Sequence, residues 1–286
     1  MVELQSHNQL LRVDLQKGAA ITHLNLVGGN GKLRSIIEPN EEFKFESSLL
    51  FPFPNRLENG SFQFEGNAYQ FPHNDFGQPN ALHGMIHNME FECIGEGKDH
   101  LILSLDYKGD VSYYPFPFNV QVKYGLDRGK LNIDIKVTNI GEGSMPCGFG
   151  WHPYFNLGDE IENAKLSLSE VEKVEVDDLA IPTGKVTPFH SFDTLSSFAD
   201  AQLDNCFVFE EGKAERSVYL VYEDKSVLDV WQDKDQQFVQ VFIHPNKKAI
   251  AIEPMTCGIN ALNTGKGIRI LKAGESWDFK LGLRYT

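Results

Sequence analysis

Phe118–Leu126 reads FNVQVKYGL and Leu131–Asn139 reads LNIDIKVTN, with Asp127-Arg128-Gly129 between them. In both halves apolar and polar residues alternate one for one. That period belongs to a strand with one face on a core and the other in water. A short break ending in glycine between two such runs is hairpin chemistry, so the stretch predicts two antiparallel strands. The same period recurs outward along the chain. His100–Tyr107 is HLILSLDY, and Val218–Tyr222, Val227–Gln232 and Phe238–Ile243 suggest a meander of short strands. Ser276–Tyr285 has the pattern of a closing strand. No long segment carries helical periodicity; Asp193–Asp200 is the one place that suggests a short helix or turn. Many short strands between turn residues indicate an all-β protein, a sandwich or a barrel. The 286 residues show no linker, repeat or shift in composition, so a single domain over 1–286 is expected.

Composition narrows the function. Hydrophobic residues make up 41% of the chain, enough for a substantial core. A net charge of −14 opposes binding to nucleic acid or to an anionic membrane surface. No window approaches the roughly 18 apolar residues of a membrane span, and the N-terminus lacks a basic region followed by an apolar one. Cys93, Cys147, Cys206 and Cys257 are widely spaced, with no C-x-x-C pair, which fits reduced thiols in a cytoplasmic protein. There is no glycine-rich phosphate loop and no zinc-type ligand spacing, so neither cofactor nor metal is expected.

Four segments break the alternation. Phe51–Gly60, FPFPNRLENG, has prolines at 52 and 54 that deny the backbone ladder hydrogen bonds. Asn55 and Arg56 therefore sit on a defined loop. Asn80–Gly84, NALHG, places His83 before a glycine. Cys147–Leu157, CGFGWHPYFNL, sets His152 among Trp151, Tyr154 and Phe155, and aromatic faces suit the C–H face of a sugar. Ala249–Asn260, AIAIEPMTCGIN, reads as a strand ending at Glu253 and stopped by Pro254. A carboxylate at a buried strand end is expensive unless paired or functional.

In order, these segments resemble the aldose 1-epimerase (galactose mutarotase) family. The likeness extends through Asp177–Pro188 (DDLAIPTGKVTP), Leu203–Phe207 (LDNCF), Glu253–Thr256 and the C-terminal LKAGESWDFKLGLRY, covering the chain from about residue 40. It departs where many relatives carry a tryptophan soon after the LHG segment; here Met85-Ile86-His87-Asn88-Met89 follows. The resemblance implies a large antiparallel β-sandwich, the supersandwich, and interconversion of the α and β anomers of a free hexose. It implies Glu253 as general base for the anomeric proton and His152 as general acid at the ring oxygen. His83 would hydrogen-bond that oxygen or the open-chain carbonyl. Arg56, Asp204, Asn55 and Trp151 would contact the sugar. Glu253 should carry a raised pKa through partial burial, and a carboxylate near His152 should keep the imidazole protonated. The expected partner is a small-molecule sugar, with the protein a monomer or homodimer. Arg56 is the chief basic residue near the motifs, which favours a neutral aldose over a phosphorylated or sulfonated hexose. A non-catalytic carbohydrate-binding protein of the same fold is the reading from another functional class.

Overall fold

The computed structural model describes all of residues 1–286. The hairpin forms with strands Phe118–Asp127 and Lys130–Asn139, in register from Phe118 opposite Asn139 to Asp127 opposite Lys130. Gly129 lies in the turn at φ 66°, and a Cβ there would come 2.5 Å from the Tyr285 carbonyl oxygen, so both backbone shape and space demand glycine. Val120, Val122, Tyr124, Ile133 and Ile135 point inward, as the alternation requires.

This hairpin sits in a nine-stranded sheet. Its order is Glu92–Glu96, His100–Tyr107, the hairpin strands, Ser276–Tyr285, Val227–Asp233, Glu215–Val221, Lys165–Ser167 and Ser196–Ser197. An eight-stranded sheet runs Pro182–Phe189, Val171–Val176, Asp204–Phe209, Phe238–Ile243, Ala249–Met255, Gly150–His152 and Ser48–Leu50, with Tyr154–Asn156 also paired to Ala249–Met255. A four-stranded N-terminal sheet spans Val2–Ile37. The paired strands of these sheets run antiparallel. One apolar cluster, including Val122 and Ile135 from the nine-stranded sheet and Trp151, Val241 and Ile252 from the eight-stranded one, binds the two layers together.

Three sequence expectations are corrected. The meander is divided: Glu215–Val221 and Val227–Asp233 pair with each other, but Phe238–Ile243 crosses to the eight-stranded sheet. Gln232 secures that crossing by donating to the carbonyls of Gln236 (2.6 Å) and Phe238 (3.0 Å). Alternation identifies the face of a strand but not its partner. Asp193–Asp200 forms turns and the two-residue strand Ser196–Ser197, not a helix. Pro254 does not end its strand at Glu253; it lies opposite Val239, and pairing continues to Met255. No helix is long and apolar enough to cross a membrane.

Candidate active site

The outer face of the eight-stranded sheet carries the site. Along Ala249–Met255, Ile250 and Ile252 join the main core, while Ala251, Glu253 and Met255 face the other way. Gln240 lies opposite Glu253, and Asp204 lies opposite Phe242. A polar stripe of Asp204, Gln240 and Glu253 thus runs between two apolar clusters. Tyr154, Ala249 and Ala251 lie on one side, and Cys206, Phe238 and Met255 on the other.

His152 reaches this face from the neighbouring strand. Its Nε2 is 3.4 Å from Glu253 Oε1, and both side chains are buried. Glu253 Oε2 and His152 Nδ1 are buried with no hydrogen-bond partner within the protein. Trp151 is a correction. Because successive side chains point to opposite faces, the strand that turns His152 outward turns Trp151 into the core. There it is fully buried, with its ring 6.3 Å from that of Phe155. The aromatic surface beside His152 is instead Tyr154, with ring centroids 5.0 Å apart.

His83 is held by backbone geometry. It sits at φ 63° and Gly84 at φ 66°. The His83 N–H donates to the Asn55 carbonyl at 2.9 Å, and the Asn55 N–H donates to His83 Nδ1 at 3.1 Å. An Nδ1 that accepts leaves the proton of the neutral ring on Nε2. The ring lies 5.1 Å from that of His152. Asn55 is buried and its side chain is committed to the protein: Oδ1 accepts from the Arg56 N–H at 2.9 Å, and Nδ2 donates to Gln240 Oε1 at 3.2 Å. Gln240 in turn donates to Asp204 Oδ1 at 2.7 Å.

Arg56 is aimed by a residue outside the sequence motifs. Its Nε donates to Asp75 Oδ2 at 2.8 Å, and Asn80 Nδ2 donates to the same oxygen at 3.1 Å. Asp75 is 2% exposed, so its carboxylate acts on Arg56 and not on solvent. Nothing in the alternation marks Asp75, since it lies in an irregular loop. Gln240 was more legible, being the polar residue between Phe238 and Phe242 on one face of FVQVFI.

Asn55, Arg56, His83, His152, Asp204 and Glu253 line one cavity of about 280 Å³ together with Tyr154, Gln240, Phe242 and His244. Small-molecule sites usually begin near ~300 Å³. Phe45 packs its ring 4.6 Å from that of His83, and Phe76, Glu42 and Lys44 border the mouth. Burial drives the charges. It pushes Glu253 well above the usual carboxylate range, with Asp204 adding to the rise and Arg56 opposing it. It pushes His152 down to about 4, and His83 well below its ordinary value, with the neighbouring His152 adding to the latter. The expected rise at Glu253 is present, through complete rather than partial burial. The expected protonation of His152 is not. A carboxyl whose own ionisation is disfavoured by burial offers an imidazolium little counter-charge, so desolvation prevails at His152. Burial therefore shifts the pair away from its charged form, toward a protonated Glu253 and neutral imidazoles.

The antiparallel sheets thus carry a histidine–glutamate pair buried on one sheet face. The family model for aldose 1-epimerases matches residues 1–284, and the chain belongs to that family of isomerase-type enzymes. It is similar to the protein YihR of Escherichia coli, 28% identical over 79% of this chain and 75% of that one. It is also 25% identical to the bifunctional protein GAL10 of Kluyveromyces lactis, over 94% of this chain and 44% of that protein. Among solved structures, a galactose mutarotase-like protein from Clostridium acetobutylicum superposes with a TM-score of 0.87 at 21% identity, covering 99% of this chain and 94% of its own.

Proposed function

We propose that this protein is an aldose 1-epimerase that interconverts the α and β anomers of a neutral free hexose by general acid–base catalysis. The observation that carries the reading is the His152–Glu253 pair, 3.4 Å apart and buried in a cavity of hexose scale. Anomer exchange needs one group to take the O1 proton and another to deliver a proton to the ring oxygen. The C1–O5 bond breaks, an aldehyde forms at C1, the C1–C2 bond turns, and the transfers reverse. Glu253 as carboxylate takes the O1 proton while His152 as imidazolium protonates the ring oxygen. The products of that half-cycle are Glu253 protonated and His152 neutral, the forms that burial favours. Arg56 shifts the balance back towards the carboxylate. The Nε2–H of His83 is a donor for the ring oxygen or the open-chain carbonyl.

The charge balance supports a neutral substrate. Of the two cations lining the cavity, Arg56 is already neutralised by Asp75 and Lys44 shares the mouth with Glu42, while Asp204 and Glu253 supply carboxyl groups. A phosphate or sulfonate favours uncommitted arginines.

Polarimetry of freshly dissolved α-glucose, α-galactose and anionic hexoses tests the reading. Glu253→Gln should slow mutarotation of the neutral sugars by about 10²–10⁴-fold. Undiminished turnover in a folded Glu253→Gln variant would overturn the mechanism. Sugar binding without any acceleration by the parent protein would make it a carbohydrate-binding protein.

A further inference from the structure

Asp75 fixes the tip of Arg56, but the backbone behind that side chain has little support of its own. Pro52 and Pro54 precede it without N–H groups. Asn55, Asn59 and Gly60 then turn the chain through left-handed conformations, at φ 57°, 50° and 63°. The strand between these bends is only Arg56–Leu57, paired with Ala81–Leu82.

Further support comes from the segment that carries Glu253, in which every residue from Glu253 to Asn260 is buried. Thr256 Oγ1 accepts from the Phe149 N–H at 2.8 Å, just before the strand of His152. Asn260 meets the stretch that holds Arg56. Its N–H donates to the Arg56 carbonyl at 2.7 Å, and its Oδ1 accepts from the Glu58 N–H at 3.1 Å. Its Nδ2 donates to Glu58 Oε2 at 3.1 Å. Asn263 Nδ2 donates to the same Oδ1 at 2.8 Å. Asn260 is 4% exposed, adopts φ 57° and does not line the cavity. Asparagine enters the left-handed region more readily than most residues. Here it also brings a donor and an acceptor to the turn that leaves Arg56.

We infer that Asn260 is a positioning residue for Arg56, setting through the Glu58 turn where the guanidinium stands relative to Glu253. The inference rests on the proposed function for the role of Arg56 at the sugar. Glu253 and Asn260 belong to one buried segment, so the base and the backbone of the arginine share a single support. Asp75 then fixes the guanidinium at the other end of the side chain.

The test is a double-mutant cycle of Asn260→Gly with Arg56→Ala, read by polarimetric kcat/KM on glucose and galactose, with urea denaturation in parallel. Glycine accepts φ 57° and keeps the N–H to the Arg56 carbonyl, so only the side-chain bonds are lost. Asn260→Gly should lower kcat/KM by about tenfold, less than the ~10²-fold of a misplacement of ~1 Å. In the Arg56→Ala background the same substitution should cost less than about twofold. Glu58→Gln combined with Asn260→Asp exchanges donor and acceptor within the pair and should recover about half of the parent kcat/KM. Asn260→Asp alone sets two carboxylates together and should not. If Asn260→Gly does not fold, Asn260→Asp takes its place in the cycle. Additive effects, kcat/KM within twofold of the parent in the single variant, or no recovery in the folded exchange variant overturns the inference. If the parent accelerates no sugar, the catalytic reading falls, and the cycle is read on equilibrium sugar binding. A coupling of about tenfold in Kd then supports the positioning role, and additivity or absent binding overturns it.

Discussion

Replacing Asp75 with alanine removes the carboxylate that aims Arg56 into the cavity. Asp75 is 2% exposed, and the Arg56 side chain retains 21%. The pair therefore lies between an exposed ion pair, contributing ~0–1 kcal/mol, and a fully buried one, whose one-sided removal costs ~3–5 kcal/mol. A loss of about 2 kcal/mol of stability follows, and Asn80 Nδ2 loses an acceptor as well. The effect on catalysis is larger than the effect on folding. A guanidinium no longer held at Nε moves by the order of an ångström, and such misplacement lowers kcat/KM by about 10- to 100-fold. The assay is a double-mutant cycle with Arg56→Ala, reading urea denaturation and polarimetric kcat/KM in parallel. In the Arg56→Ala background, Asp75→Ala should change kcat/KM little, giving a coupling of at least ~1 kcal/mol. If the two substitutions are additive, or Asp75→Ala alone leaves kcat/KM within twofold, Asp75 does not act through Arg56.

The pH profile of kcat/KM, which reports the free enzyme, should be bell-shaped around the one-proton state of the His152–Glu253 pair. Activity falls on the acid side near 4, as His152 gains a second proton for the pair, and on the basic side as Glu253 loses the last one, well above the ordinary carboxylate range. An acid limb near 6.5 would mean that the imidazolium is retained after all. Gly84→Ala would place a Cβ 2.2 Å from the Phe51 carbonyl oxygen at φ 66°. The loss of stability should exceed the ~1–2 kcal/mol of left-handed strain alone, and kcat/KM should fall because His83 adjoins the displaced turn. Trp151→Phe should lower stability by about 1–3 kcal/mol through the space left in the core while keeping kcat/KM within about threefold. A collapse of activity with little loss of stability would place Trp151 at the sugar.

The local pattern of FNVQVKYGL and LNIDIKVTN was sufficient for the hairpin because strand period and turn chemistry are properties of adjacent residues. The same period, applied to WHPYFNL, separates inward Trp151 from outward His152, but only once the strand's two faces are known to be core and cavity. Glu253 was legible because a carboxylate ending an apolar alternation is anomalous wherever the strand lies. What the sequence by itself determined was therefore the strand content, the family resemblance and the polar residues out of place. Tertiary structure decided what those residues meet. It sent Phe238–Ile243 to the other sheet, and it brought Asp75 to Arg56 and Asn55 to His83 across 19 and 28 residues. It also buried His152 and Glu253 together, and desolvation pushes both away from their charged forms. Partner choice and desolvation arise from segments distant in the chain, and no period within one segment encodes them.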